Sequence, residues 1–415
     1  MQRDTTTTAD AINRAKVPLA AKRLLKLLTK IAHGELHIQC PDGTWLVFGQ
    51  PGGLQAYIVL KNWRVFSAAI KSGDIGFAET YIAGDWHTPQ LAHLLQVLIQ
   101  NRDAIEKAIY GHPIGRLAYQ VKHWLNRNTK ANSRKNIHAH YDLGNAFYSL
   151  WLDKTMNYSS ALYTNGITDM AMAQTEKVRR SLREVDLQPG QRLLEIGCGW
   201  GALAEMATQE FGSQVVGLTL STEQLEWANK RLAATPNGHL ADLRLQDYRD
   251  IGVVSPEAPF DAICSIEMIE AVGRAYWPTY FDTIAQRLKP GGKACIQSIV
   301  IADRLFDRYI QGTDFIQQYI FPGGCLPSPQ TFRESAARAG LKVVNEHAFG
   351  LDYAQTLRTW RHTFLREEPA VRALGFDTAF IRTWEFYLAY CEAAFMEANT
   401  DVIQFTLEKS PAHAE

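Results

Sequence analysis

A glycine-rich segment, LLEIGCGWG at 193–201, has the residue types that a nucleotide-like cofactor requires. It follows a short apolar run and leads into a helical pattern. Its glycines therefore permit a tight turn and a close backbone approach to a ligand at the start of a helix. The spacing is G-x-G-x-G with Glu195 just before it, whereas NAD enzymes typically have G-x-G-x-x-G. Glu195 is either a cofactor-site carboxylate or a group that only stabilises the turn.

The ends of the next two apolar runs distinguish between cofactors. The second run ends in LTLS at 218–221, without the acidic residue that binds the ribose in NAD sites. The third run ends in Gln246-Asp247-Tyr248, where Asp247 can contact an adenine and Tyr248 can stack near it. This layout favours S-adenosylmethionine (SAM), which carries its own electrophilic methyl group, over a dinucleotide. The sequence therefore predicts a SAM-dependent methyltransferase, with a dinucleotide enzyme as the alternative.

Two glutamates three residues apart, Glu267 and Glu270, directly follow the fourth apolar run. We expect one of them at the active site, while the other can simply cap the following turn. No metal site is predicted, because His138 and His140 have no further ligands nearby in the sequence and the six cysteines include no CxxC pair.

The elements that must position these residues alternate between strand and helix after about residue 190. Such alternation predicts an α/β fold, a Rossmann-like sheet of seven strands with helices on both faces. The predicted strands are Arg192–Ile196, Gln214–Leu220, Asp242–Gln246, Phe260–Ile266, Lys293–Val300, Leu341–Phe349 and Val402–Leu407. The predicted helices between them are Ala202–Phe211, Ser221–Ala233 and Ala275–Leu288, and Lys289–Gly292 is predicted to be a turn.

The pattern divides the chain into three parts. Residues 1–110 are predicted to form a smaller α+β, lipid-associating domain, and 136–415 the methyltransferase domain with a helical insertion at 355–398. Between them, 111–135 is a basic connector within a longer stretch, 107–141, that has no acidic residue. Basic residues interleaved with aromatics favour an anionic membrane surface as partner, with a solvated linker as the alternative. Nucleic acid is not expected, because no recognition motif accompanies the charge.

Composition and charge exclude several other classes of protein. The 415 residues are 46% hydrophobic and carry 43 basic and 43 acidic groups, which excludes a disordered chain and a disulfide-stapled miniprotein. No stretch is apolar enough for a signal peptide or a membrane-spanning helix. We therefore expect a cytoplasmic protein associated peripherally with the inner face of the cell membrane.

Five motifs that occur in order add a specific resemblance. The sequence resembles the cyclopropane-fatty-acyl-phospholipid synthases and the related mycolic acid cyclopropane synthases. The motifs are HYDLGNAFYSLWLDKTMNYSSALY (140–163), LTLSTEQ (218–224), SIEMIEAVG (265–273), QYIFPGGCLPS (318–328) and FGLDYAQTLRTW (349–360). More weakly, GDIGFAETYIAGDW (73–86) resembles the N-terminal domain of the bacterial phospholipid enzymes.

The resemblance implies a reaction at a carbon–carbon double bond. Enzymes of this family transfer the SAM methyl to a cis double bond within an acyl chain, and a base then removes a proton from the new methyl so that a ring closes. In the family this base is thought to be a bicarbonate ion held near a glutamate. The resemblance therefore implies an unsaturated phospholipid substrate, a dry acyl channel, SAM and bicarbonate. It also implies a homodimer.

The motifs carry the family's site residues over to this sequence. The family glutamate matches Glu270, the tyrosine of its bicarbonate pocket matches Tyr353, and a backbone contact falls on Ile299. With Glu195 of the glycine loop, the predicted cofactor contacts are Tyr158, Ser159, Glu195, Gly197, Gly199, Thr219, Leu220, Gln224, Gln246, Asp247, Tyr248 and Ile266.

Three positions depart from the family pattern. The usual cysteine after Tyr-Ser is Ser160, the usual histidine of the fifth strand is Gln297, and the usual Glu-His pair is Glu270-Ala271. Ser160 and Gln297 can still donate hydrogen bonds to an anion, so both stay among the predicted catalytic residues. The missing histidine removes a ring that exchanges protons near neutral pH. A methyl-branched or methylene product is therefore the alternative to a cyclopropane.

Two further hypotheses stay open. A methyltransferase of the same fold can act on a soluble small molecule, although the N-terminal unit and the basic connector argue against it. The three departures also suggest a SAM-binding, lipid-associated regulator without catalysis.

Overall fold

The computed structural model describes residues 17–109, 143–164, 166–253 and 256–411. These residues fall into two compact units. The first contains 17–109, 312–320 and 364–397, and the second contains the rest. Most of the predicted helical insertion, 355–398, therefore belongs with the N-terminal residues rather than with the methyltransferase residues. The predicted basic connector, 111–135, lies outside the described residues.

The first unit is built on a small sheet with strand order β2-β1-β3-β4. Its strands are β1 (Glu35–Gln39), β2 (Trp45–Gly49), β3 (Gln55–Leu60) and β4 (Trp86–His87). Its helices are Leu19–Leu28, Arg64–Ile82 (broken at Gly73), Leu91–Gln100, Arg102–Ile109, Phe315–Tyr319, Glu368–Ala373 and Thr378–Met396. Burial alternates along the first three strands, so one face of this sheet packs into a core.

Arg382 shows why the late helix belongs to this unit. From the helix Thr378–Met396 its guanidinium donates to the backbone oxygens of Tyr81, at 2.6 Å, and Trp86, at 3.0 Å. It also lies over the Tyr81 ring, 4.1 Å from the centroid. The sequence predicted the helix from its periodicity, but these partners lie about 300 residues away and have no local signal.

The second unit contains a seven-stranded sheet in the order β10-β11-β9-β8-β5-β6-β7. The strands are β5 (Arg192–Ile196), β6 (Gln214–Thr219), β7 (Ala241–Leu245), β8 (Phe260–Ile266), β9 (Leu288–Ile301), β10 (Leu341–Ala348) and β11 (Thr400–Lys409). Strands β5 to β9 pair in parallel, and β11 runs antiparallel to both β9 and β10. The predicted α/β class and all seven strands are confirmed.

Helices cover this sheet. They are Asn145–Tyr148, Met170–Glu184, Ala202–Gln209, Thr222–Ala233, Ile269–Val272, Trp277–Arg287, Asp303–Tyr309, Pro329–Arg338 and Gly350–Arg366, of which 350–363 belong to this unit. The predicted turn Lys289–Gly292 is instead part of β9, where the pairing with β8 shifts register between Phe260 and Ala262. No helix in the described ranges is long and apolar enough to cross a membrane.

Apolar side chains on both faces of β5 anchor the sheet between two cores. Leu194 and Ile196 join one buried cluster, and Leu193 joins the other together with Leu203 of the following helix. Glu195 is the acidic exception on this strand, with only 5% of its surface exposed. The chain moves to opposite sides of β5 to form β6 and β8, so β5 and β8 flank the point where the strand order reverses. Open α/β sheets bind ligands beyond the carboxyl ends of strands at such a point.

Candidate active site

A cleft opens at the carboxyl ends of β5 to β8 in the second unit. Its lining includes every residue predicted to contact a cofactor: Tyr158, Ser159, Glu195, Gly197, Gly199, Thr219, Leu220, Gln224, Gln246, Asp247, Tyr248 and Ile266. These residues come from strand ends and from a loop before the sheet, so the parallel arrangement alone brings most of them together.

The glycine loop leaves backbone open to the cleft. Gly201 has φ 83°, and a Cβ there would lie 2.9 Å from the Ala228 Cβ, so this glycine is required by packing. Gly199 has φ 49°, and a Cβ there would meet no atom within 4 Å. The free space at Gly199, a residue of the cleft wall, is suited to close contact between backbone and ligand.

Glu195 presents an unused acceptor at the same place. Its carboxyl group accepts a hydrogen bond from the Ala204 backbone N–H in the following helix, and burial raises its pKa to about 8, so it is mainly neutral at pH 7 until a ligand donor stabilises its charge. Its Oε2 atom is buried without a hydrogen-bond partner within the described residues. Glu195 therefore stabilises the start of the helix and also offers an acceptor that a ligand donor would satisfy.

The carboxylate of Asp247 is held by its neighbour. Arg249 donates to it from Nε at 2.8 Å and from Nη2 at 2.5 Å, and the Arg249 backbone N–H adds a bond of 3.0 Å. Tyr248 is buried with its ring edge-to-face on Tyr280, at 5.7 Å between centroids. The predicted adenine contact, Asp247, is thus fixed in position by an arginine that the sequence analysis did not consider.

Tyr158 belongs to an aromatic cluster beside the cleft. Its ring centroid lies 5.4 Å from Tyr148, 5.5 Å from Trp151 and 5.5 Å from Trp360. Tyr148 in turn lies 5.3 Å from Trp200, another residue of the cleft lining. Aromatic faces at such a position attract positive charge.

Lys177 lies fully buried beneath Ser159. Its Nζ donates to Ser159 Oγ at 2.6 Å and to Asn157 Oδ1 at 3.3 Å. Burial lowers its pKa to about 8, although the negative charges of Glu267, Asp153 and Glu195 oppose that shift. The basic side chains around it on the helix Met170–Glu184 resemble a solvated face, so sequence reasoning missed it.

Glu267, not Glu270, receives the hydrogen bonds of the predicted anion pocket. Its Oε1 accepts from the Ser160 backbone N–H at 2.8 Å and from Gln297 Nε2 at 2.7 Å, and its Oε2 accepts from the Tyr353 hydroxyl at 2.6 Å. Glu267 also lines the cleft. Burial raises its pKa, and the hydrogen bonds from Tyr353 and Ser160 oppose this. The resemblance had placed these three residues around bicarbonate.

Glu270 interacts electrostatically with Glu267 but has a different hydrogen-bond partner. Its Oε1 accepts a hydrogen bond from the backbone N–H of Ile299, the residue predicted to give the pocket its backbone contact, while its Oε2 has no partner within the described residues. It is not among the residues of the cleft lining. Burial, together with the negative charge of Glu267, raises the pKa of Glu270 to about 8. A group with that pKa is mainly neutral at pH 7.

The idea that Glu267 only caps a turn does not hold. The short helix Ile269–Val272 begins after Met268 and has no side-chain cap. Glu267 instead adopts φ 50°, an uncommon conformation for a residue other than glycine. Such outliers persist where surrounding contacts hold them, and they concentrate at functional sites.

A model of the family described as mycolic acid cyclopropane synthetase matches residues 128–405, about two thirds of the chain. The chain belongs to this family. Its members' fold and cofactor confirm the predicted resemblance, and the protein is a SAM-dependent methyltransferase of the cyclopropane synthase type.

Curated relatives with different lipid products in their names match most of the chain. The tuberculostearic acid methyltransferase of Mycobacterium tuberculosis is 38% identical over 81% of this chain and 79% of its own length. The cyclopropane-fatty-acyl-phospholipid synthase of Escherichia coli is 32% identical over 86% of this chain and 89% of its own.

Solved structures of family members cover the methyltransferase part. The mycolic acid cyclopropane synthase CmaA1 complexed with SAH and CTAB is 30% identical, with a TM-score of 0.61, over 66% of this chain and 98% of its own. The cyclopropane synthase MmaA2 from Mycobacterium tuberculosis gives the same identity, TM-score and coverage.

The site of this family member fits SAM. Glu195 offers an unsatisfied buried acceptor, Gly199 leaves room for close backbone contact, and Asp247 is held as an acceptor at the third strand end. Among the described residues, no cluster of three or more His, Cys, Asp and Glu side chains is arranged to hold a metal ion. The geometry therefore provides a cofactor cleft with a hydrogen-bonded carboxylate, Glu267, in its wall.

Proposed function

We propose that the protein methylates a carbon of a cis double bond in an acyl chain of an unsaturated phospholipid. The observation that carries the proposal is the Glu267 carboxylate, which lies in the wall of the cofactor cleft and is held by three protein donors. The relatives add support, since their names specify fatty-acid and phospholipid acyl products.

The cofactor would be held by the glycine loop, by Glu195 and by Asp247. When bound, SAM supplies an electrophilic methyl group. The ring of Tyr158 and its aromatic neighbours stabilise positive charge on the acyl chain and keep water away from it.

Glu267 performs the acid–base step. An alkene carbon that has gained a methyl leaves its neighbour positively charged, and the chain becomes neutral only when a proton departs. The Glu267 carboxylate accepts this proton and becomes a carboxylic acid. Its raised pKa makes it a stronger base than an exposed glutamate. Since its oxygens take the hydrogen bonds of the expected bicarbonate pocket, we propose that the tethered carboxylate replaces the ion.

The path by which the cation loses its proton decides the product. Loss from the new methyl, with bonding of that carbon to the cationic carbon, closes a cyclopropane ring. If a hydride first shifts from the methylated carbon to its cationic neighbour, loss of a proton from the methyl gives a methylene branch instead, and loss from a chain carbon gives a methyl-branched alkene. Gln297 replaces the family histidine beside Glu267, and one relative is named as a tuberculostearic acid methyltransferase. These two observations favour a product without a ring as the second candidate.

We also propose that the basic segment 111–135 brings the protein to anionic membranes, where the lipid substrate resides. Its charge pattern supports this role.

Labelled SAM and defined vesicles test the proposal. Purified protein is incubated with methyl-labelled SAM and vesicles of an unsaturated phospholipid, with saturated vesicles of the same head group as the control. We expect label in acyl chains from the unsaturated vesicles only, and fragmentation mass spectrometry after derivatisation then separates ring from methylene products. An active protein that labels neither vesicle but labels a soluble amine would refute acyl methylation.

A further inference from the structure

A chain of directional hydrogen bonds leads from the sheet to Glu267. Gln404 on β11 pairs directly opposite Gln297 on β9, and both side chains are fully buried. Gln404 Nε2 donates to Gln297 Oε1 at 3.0 Å, and Gln297 Nε2 donates to Glu267 Oε1 at 2.7 Å. Arg180 Nη1 donates to Gln404 Oε1 at 2.5 Å. We call Arg180, Gln404 and Gln297 the amide relay.

Arg180 determines the direction of the whole relay. A guanidinium only donates hydrogen bonds, so Gln404 must turn its oxygen toward Arg180 and its NH₂ group inward. Gln404 Nε2 also meets acceptors at Lys177 O, 3.2 Å away, and Ser181 Oγ, 2.9 Å away. The reverse orientation would place NH₂ against guanidinium and oxygen against carbonyl.

Gln297 is oriented by the same logic. Its oxygen must face the Gln404 NH₂ group, so its own NH₂ group faces Glu267. Arg180 is itself anchored by Glu184, with 3.1 Å between Nη2 and Oε1. The fixed position of the Arg180 cation therefore determines, through the amides of Gln404 and Gln297, that a donor faces Glu267.

We propose that Gln404 and Arg180 are positioning residues that keep the Gln297 donor on Glu267 and so maintain Glu267 as an ionised proton acceptor. The inference rests on the proposed role of Glu267, and it extends that role to residues that do not line the cleft. Other groups also act on this carboxylate: Lys177 favours its charge, Tyr353 donates to it, and Glu270 is the nearby acid coupled to it.

Gln404→Glu reverses the relay while nearly preserving its shape. A carboxylate at 404 stays paired with Arg180 but can only accept, so Gln297 must turn its NH₂ group toward it and its oxygen toward Glu267. The loss of one hydrogen bond to a charged group corresponds to an upward shift of about one pH unit in the protonation of Glu267. At a pH below the midpoint of Glu267 protonation, where turnover follows the ionised fraction of this carboxylate, we expect turnover to fall about tenfold.

Infrared spectroscopy of protein labelled with ¹³C-glutamate measures that protonation without any acyl substrate, and the Glu267→Gln variant identifies the band. Absence of lipid methylation would refute the proposed function, but the protonation of Glu267 could still be measured in the same way. We expect the pH midpoint of Glu267 protonation to rise in Gln404→Glu. The same midpoint should stay constant in Thr208→Val, which removes a buried hydroxyl elsewhere in the unit. An unchanged midpoint in folded Gln404→Glu overturns the relay.

A double-mutant cycle separates the relay from a simple charge effect. In a Gln297→Met background, Gln404→Glu should no longer move the midpoint, because the donor that it redirects is gone. An equal shift in both backgrounds would mean that the new charge acts through space, and it would refute the proposal. Should Gln404→Glu not fold, Arg180→Met tests the relay at a partly exposed side chain by removing the donor that orients Gln404. It should raise the pH midpoint of Glu267 protonation when Gln297 is present and leave it unchanged in the Gln297→Met background.

Discussion

Replacing Glu267 by glutamine removes the proposed proton acceptor while keeping its shape. In Glu267→Gln, the new amide oxygen can still accept from Ser160 N–H and Gln297, and the new NH₂ group can donate to the Tyr353 hydroxyl oxygen. Because every neighbouring polar group keeps a partner, the free energy of unfolding should change by less than about 1 kcal/mol.

The expected loss is in the chemical step. Removing a positioned acid–base group typically costs about 10²–10⁴ in rate. This corresponds to roughly 2.7–5.5 kcal/mol of activation free energy at 1.36 kcal/mol per factor of ten. SAM affinity should change less than about tenfold, since the carboxylate is already satisfied by protein donors.

The assay follows methyl transfer to unsaturated vesicles in single turnover, with SAM binding by calorimetry and melting temperature measured in parallel. Glu334→Gln, an exposed glutamate paired with Arg338, is the matched control and should behave as the unmodified protein. The unmodified protein should be equally active in buffer freed of carbon dioxide and in added bicarbonate. A folded Glu267→Gln protein within threefold of the unmodified rate, or a rate that requires bicarbonate, would contradict the reasoning.

Four other substitutions follow from the geometry. The pKa of Glu270 is about 8 in the folded state and 4.5 ordinarily, so the folded protein holds a proton that the unfolded chain releases between those values. Stability should therefore fall as pH rises through that window, and Glu270→Gln should reduce the slope of melting temperature against pH. Other carboxyl groups with a raised pKa, among them Glu195 and Asp314, supply the rest of the slope. Lys177→Met removes a positive charge that lowers the pKa of Glu267, so the acidic limb of the pH–rate profile should move upward, and an unmoved limb would exclude this coupling. Gly201→Ala should melt several degrees below Gly199→Ala, because only the former meets an atom at 2.9 Å. Gly199→Ala should instead weaken SAM binding at least about tenfold by calorimetry, since it fills the space left for the ligand.

The sequence predicted most of the cofactor cleft because strand ends are local features. Runs of apolar residues define β5 to β8, and in a parallel sheet their carboxyl ends must meet at one edge. The carboxylate in the wall was harder to assign. Glu267 and Glu270 lie three residues apart after the same strand. Which of the two lines the cleft depends on the backbone conformation of Glu267, with φ 50°, which no residue propensity predicts.

Long-range partners also lay beyond sequence reasoning. Gln404 follows Gln297 by more than a hundred residues, and their meeting depends on the register between β9 and β11. Lys177 reaches Ser159 only because its helix turns that side chain inward, away from the solvent that its basic neighbours suggested.

The backbone of Glu267 has one more consequence. A glycine would adopt φ 50° without the steric cost that glutamate bears there. Glu267→Gly would therefore relax the turn and vacate a niche whose three donors come from Ser160, Gln297 and Tyr353. Such a niche has the size and polarity of a small oxyanion, so formate or bicarbonate should restore turnover to this variant in proportion to its concentration. One residue thus decides whether the base is part of the polypeptide or is borrowed from the surrounding solution.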